Sequence, residues 1–111
     1  MNPHAVVILI ACLAPLAGAS CNRGHQGPMP EAETRTYRAC TSDADCVYTH
    51  NGCCDCVNGG QDLAVNRAQH DAFRAKFACA AVGCTEMAGD CGQGRVSCEQ
   101  NVCTYHRPSN P

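Results

Sequence analysis

A chain of 111 residues with twelve cysteines, no tryptophan, three tyrosines and two phenylalanines has room for one small domain and little apolar material to fill it. Eight Lys and Arg against ten Asp and Glu leave a formal charge of −2, which excludes a nucleic-acid binder with a cationic stripe and leaves no acidic tail. The length also excludes Rossmann, barrel and kinase architectures.

Residues 5–14 (AVVILIACLA) carry no charge. They are too few to cross a hydrocarbon core of about 30 Å, which takes about 20 residues. With Pro15 and the small residues that follow, they predict a secretory signal over residues 1–20, although Met1-Asn2-Pro3-His4 supplies no Lys or Arg. Two cleavages compete at its end. Ala17-Gly18-Ala19 is an A-x-A site that would release a soluble protein, whereas Gly18-Ala19-Ser20-Cys21 resembles a bacterial lipobox, in which the cysteine is acylated and becomes the first residue. Gly18 stands where lipoboxes usually carry Leu. Parity favours lipidation of Cys21: Cys12 leaves with the signal, and an anchor at Cys21 leaves ten cysteines that pair completely in an oxidising compartment. The expected partners are a membrane, through the lipid anchor, and an unidentified protein or surface ligand. No nucleic acid and no cofactor are expected.

Residues 21–36 are polar, with Gly24, Gly27, Pro28 and Pro30, and predict a flexible tether. Residues 37–107 form the disulfide-rich domain, and 108–111 a disordered tail. The domain carries Cys40, Cys46, Cys53, Cys54, Cys56, Cys79, Cys84, Cys91, Cys98 and Cys103, with few large apolar side chains besides Phe73 and Phe77. So thin a core needs staples. Each bridge stabilises by about 2–4 kcal/mol, largely through the unfolded chain. Five disulfides are therefore expected, in a pairing left open among about 945 possibilities.

Short strands are predicted at residues 37–38, 47–49 and 63–65. Asn66 and Gln69 make a capping-box pattern that opens a helix over residues 67–80, with Phe73 and Phe77 on one face and Gly83 as a stop. Residues 88–94 read as a loop, and a hairpin pairs 95–98 with 102–105 around 99–101. The fold class is a small disulfide-rich α+β domain, one helix packed on a short two- or three-stranded antiparallel sheet. In an extended chain, Cys53-Cys54-Asp55-Cys56 would project cysteines to both sides, predicting a central strand stapled on both faces.

Cys-x-Cys with His50 and His106 is a conceivable thiolate and imidazole site for zinc or copper. Exported thiols are oxidised, however, and no pair of C-x-x-C motifs occurs, so neither a metal nor redox catalysis is expected. Ser42, Ser97, His50, His70, Asp55 and Asp62 are loose candidates without a G-x-S-x-G, HExxH or phosphate-cradling motif, so no catalytic residue is expected. His70 reads as a packing residue on the helix, and Asp43 and Asp45 as turn residues.

The runs CTSDADCVYTHNGCCDCVNGG, LAVNRAQ and GRVSCEQNVCTY resemble small cysteine-cluster lipoproteins of Gram-negative bacteria. Those share a C-x5-C start, a CC-x-C knot, an AVN step into a helix and a terminal cysteine hairpin. The resemblance spans residues 40–105 and implies a disulfide-rich exported domain without implying an activity. The leading expectation is a non-catalytic binding module, lipid-anchored at Cys21. One alternative is a protease inhibitor presenting a bridged loop at 48–52 or 85–94, with Met87 or Arg95 entering the peptidase pocket. The second is periplasmic zinc or copper binding through Cys and His.

Overall fold

In the computed structural model, residues 24–109 are described, so the expected signal segment, Cys12 and Cys21 lie outside the described residues. The element order is α1 (Glu31–Thr34), a 3-10 turn (Arg35–Tyr37), a second (Asp43–Asp45), β1 (Cys46–Asn51), β2 (Gln61–Asn66), a third 3-10 turn (Arg67–Gln69), α2 (His70–Arg74), β3 (Arg95–Glu99) and β4 (Val102–His106). This is a small disulfide-rich α+β fold. The strands form two separate antiparallel ribbons, β1–β2 and β3–β4, where a single sheet was expected.

β1–β2 is the middle layer, and the two-residue period of a strand divides its side chains between two cores. Cys46 and Ala64 turn one way and join Cys40, Cys103, Val96, Cys98 and Tyr105 beneath the β3–β4 hairpin. Val47, Leu63 and Val65 turn the other way and meet Met29, Tyr37, Phe73 and Phe77. Phe73 is fully buried, with Tyr37 and Phe77 edge-on at ring distances of 5.4 and 5.2 Å. Such aromatic geometry contributes about 0.5–1.5 kcal/mol per pair beyond area burial.

Five disulfides join Cys40–Cys98, Cys46–Cys103, Cys53–Cys79, Cys54–Cys84 and Cys56–Cys91. All ten cysteines expected to pair do so. Cys46–Cys103 pins the hairpin to the middle layer, Cys40–Cys98 pins it to the segment before β1, and three bridges bind the segment after β1 to the long stretch between α2 and β3. A disulfide framework of this density is the mark of an exported protein. No helix among the described residues is long and apolar enough to cross a membrane.

Four further expectations are corrected by the structure. The stretch expected as a tether is folded in its described part, from Gly24 onward. Met29 is 3% exposed, its N–H donates to Asn51 Oδ1 at 2.8 Å, and the Asn51 amide donates back to its carbonyl at 3.0 Å. His25 forms a parallel bridge with Phe77, and Cys53 N–H donates to the Gln26 carbonyl at 2.9 Å. Polar composition concealed a segment whose backbone groups find partners in the fold.

The helix expected over 67–80 opens at Asn66, whose side chain accepts from Ala68 N–H, but α-helix covers only His70–Arg74. The cause is competition. The Lys76 carbonyl accepts from His25 N–H at 2.8 Å and Ala78 N–H donates to the His25 carbonyl at 2.9 Å, while Cys79 is bound to Cys53. Those pairings take the backbone groups that another helical turn would use.

The strand expected at 37–38 is instead a 3-10 turn, and pairing begins one residue later, where Ala39 bridges Val102. The Cys53–Cys56 run is not a strand. β1 ends at Asn51, and the chain turns through Gly52 and the knot before re-entering the ribbon at Gln61. The C-terminal hairpin forms as expected, in a tighter form. Gln100 and Asn101 have φ of 51° and 63°, the left-handed pair of a two-residue turn.

Candidate functional site

The turn after β1 is organised by Asp55. Its carbonyl accepts from Asn58 N–H at 3.1 Å and Gly60 N–H at 2.8 Å, and its carboxylate accepts from Val57 N–H and the Asn58 amide. Gly60 is required there, because a Cβ would collide with the Cys54 carbonyl. Held in this turn, Cys53, Cys54 and Cys56 reach Cys79, Cys84 and Cys91, with Cα separations of 5.4, 5.6 and 5.7 Å. Three residues of one turn thereby fasten three points along a segment that has no helix or strand between residues 78 and 94.

Residues 83–90 are exposed throughout, yet the chain is held between its two disulfides as well as at them. Asn58 Oδ1 accepts from the Thr85 hydroxyl at 2.7 Å and from Met87 N–H at 2.8 Å. Its Nδ2 donates to the Met87 carbonyl at 3.1 Å and to Asp55 Oδ1 at 2.7 Å. The Asn58 amide is thus engaged on both its oxygen and its nitrogen, which fixes its orientation. Gly89 lies against Val57, where a Cβ would approach within 2.6 Å of the valine methyl. The result is an exposed loop, fixed at Cys84, Thr85, Met87, Gly89 and Cys91. Met87 is 64% exposed, the most prominent large apolar side chain on the described surface.

Other candidate residues serve the fold. Ser42 is the N-cap of the 3-10 turn Asp43–Asp45. Asp43 accepts from Cys98 N–H at 2.8 Å, tying that turn to β3. Asp62 accepts from the Tyr48 hydroxyl at 2.7 Å, and His50 Nδ1 lies 3.1 Å from the same hydroxyl. Burial and the Asp62 carboxylate both raise the Tyr48 pKa, so the phenol stays protonated as the donor of this pair. His70 is partly exposed and bonds Thr49 Oγ1 across the layer, a packing role as expected.

Ser97, Glu99 and His106 come together on the hairpin and have the composition of a hydrolytic triad. Their geometry differs from one. Ser97 Oγ and Glu99 Oε1 both face the same ring nitrogen, His106 Nε2, at 2.7 and 3.3 Å, and Ser97 donates to Glu99 at 2.8 Å. A general base needs one nitrogen for the nucleophile and the other for its orienting carboxylate. Ser97 is also only 5% exposed. The arrangement closes a hydrogen-bond ring on a strand pair.

The alternative of zinc or copper binding lacks its thiolates. Cys40, Cys46 and Cys103 cluster, as do Cys56, Asp62 and Cys91, but every one of these sulfurs is in a disulfide. A concavity of about 430 Å³ is lined by Met29, Arg38, Asn51 and Leu63 among others. Two of its polar side chains are already engaged, Asn51 with Met29 and Arg38 with the Cys103 carbonyl at 2.9 Å.

Of the two loops expected to be presented between bridges, residues 48–52 lie mostly in the β1 ladder and are not a loop. Arg95 is the first residue of β3, paired with His106. Residues 85–94 contain the presented segment. Asn58 and Thr85 carry it, and neither was legible beforehand, since Asn58 beside Gly59-Gly60 reads only as turn punctuation. Comparison of the chain with family models, curated proteins and solved structures finds no match.

Proposed function

We propose that the protein is an exported, non-catalytic binding module, held at a membrane through lipidated Cys21, that recognises a protein partner with the loop of residues 84–91. The observation that carries this reading is the loop itself, exposed from Cys84 to Asp90 and fixed by two disulfides and by Asn58 between them. A pre-ordered loop loses little conformational freedom on binding, so its contacts appear in the affinity. The anchor is supported by the complete pairing of the ten domain cysteines, which leaves Cys21 no partner among them, and by the resemblance to cysteine-cluster lipoproteins.

The test is photo-crosslinking in the exporting cell. A photoreactive residue is placed at Met87 or, as a control, at exposed Ala72 on α2. A saturable adduct from position 87, competed by excess unlabelled protein and not by a protein with residues 85–88 replaced by glycine, is expected. Equal, non-competable labelling from both positions would overturn the reading.

A further inference from the structure

Resting on the reading of residues 84–91 as the recognition loop, we infer that the loop is a substrate-like inhibitor of serine endopeptidases, with Glu86 as the residue that enters the primary specificity pocket. A substrate is gripped through the backbone N–H and C=O of the residue whose carbonyl is attacked, so those groups must be free. Met87 is excluded on this ground, because Asn58 engages both its N–H and its carbonyl. Thr85, on the other side, is held through its hydroxyl. Glu86 lies between them, exposed, with its N–H and carbonyl engaging no other group among the described residues. The scaffold therefore grips both neighbours and offers the one between.

The same contacts explain how such a loop resists turnover. Attack by the peptidase serine oxygen on the Glu86 carbonyl carbon forms an ester and breaks the bond to Met87 nitrogen. The hydroxyl proton passes through the peptidase histidine to the new Met87 amine. In an ordinary substrate that amine diffuses away. Here the acyl side is bound to the turn by Cys54–Cys84, the amine side by Cys56–Cys91, and Asn58 Oδ1 holds the nitrogen itself. The amine attacks the ester at high effective concentration, returns the proton and restores the peptide bond before water intervenes.

The experiment uses the full chain, exported with its own leader and confirmed by mass to contain five disulfides. Wild type is assayed against a glutamate-specific serine endopeptidase, and Glu86→Lys against trypsin. Wild type is expected to inhibit the glutamate-specific enzyme. Glu86→Lys should lose about 100-fold there and gain about 100-fold against trypsin, the scale on which a pocket separates a matched from an opposed charge. Adding Asn58→Ala to Glu86→Lys should raise the rate of cleavage after residue 86 at least about tenfold, since the amine is then less constrained. Glu86 makes no side-chain contact that folding depends on, so the residue-86 variants decide the question even if the Asn58 variant misfolds. Rapid cleavage without inhibition, or inhibition indifferent to residue 86, would overturn the inference. A competable crosslink from position 87 that survives either result would leave the binding reading standing with a partner that is not a peptidase.

Discussion

The Asp45 carboxylate accepts three hydrogen bonds through one oxygen, from Thr41 N–H at 2.9 Å, the Thr41 hydroxyl at 3.0 Å and Ser42 N–H at 3.1 Å. These donors favour the ionised form, Thr41 N–H most, and hold its pKa below the ordinary 3.8. A depressed folded-state pKa contributes stability that is complete above the unfolded value and is lost as pH falls through the folded one. Asp45→Asn is accordingly expected to lower the melting temperature by a constant amount above about pH 5, with the gap closing below 3.8. Thermal scans of both proteins from pH 2 to 7 check this, and a gap independent of pH would refute it. The turn role of Asp45 was legible from its residue type and its place before Cys46. The set of donors was not, because it depends on how residues 41–45 curl.

At the scale of elements, the bridges divide the molecule into a stapled core and a stapled loop. Cys46–Cys103 closes 57 residues, and its half-cystines are 2% and 0% exposed, packed with Ala64 between the ribbons. Chain entropy assigns a loop of that length about 4 kcal/mol, to which a cavity adds when the sulfurs are removed. Cys54–Cys84 closes 30 residues and ends on an exposed residue. Cys46→Ala with Cys103→Ala is expected to unfold the domain or bring it within about 1–2 kcal/mol of unfolding, since domains of this size hold only about 5–10 kcal/mol in total. Cys54→Ala with Cys84→Ala should leave the ribbons folded and expose residues 84–91 to proteolysis. Urea titration and limited proteolysis separate the two cases. Equal loss of stability in both would show that the loop belongs to the cooperative core.

For the whole molecule, the ordered start of the chain alters what an anchor at Cys21 would do. Only Asn22 and Arg23 stand between that cysteine and Gly24, the first described residue, which already precedes the His25–Phe77 bridge. The three residue steps from Cys21 to Gly24 span no more than about 11 Å. An acylated Cys21 would therefore seat the domain against the membrane surface, where a 16-residue coil would have let it roam. Several buried acyl chains, at about 0.8 kcal/mol per CH₂, make such anchoring effectively permanent. Cys21→Ala is expected to move the protein from the detergent phase to the aqueous phase or to block its processing. A mature protein that begins at Ser20 with an unmodified Cys21, read by intact mass, would refute the anchor.

Composition and local pattern determined the class of this fold. Twelve cysteines and few large apolar residues leave bridges as the only sufficient source of stability, and the β-branched and aromatic residues of Cys46–Asn51 and Val102–His106 mark strands. Non-local competition settled the rest. Residues 76–78 are as compatible with helix as with strand until His25, some fifty residues earlier, takes their backbone groups. Met29 looks like linker until Asn51 supplies its partners. Which sulfurs Cys53, Cys54 and Cys56 meet is set by the turn that Asp55 builds, and the held loop exists only because that turn brings Asn58 under Thr85 and Met87, nearly thirty residues away. A local pattern reports the period and propensity of a segment, whereas these contacts are pairings between segments, and only the folded chain brings the two members of each pair together.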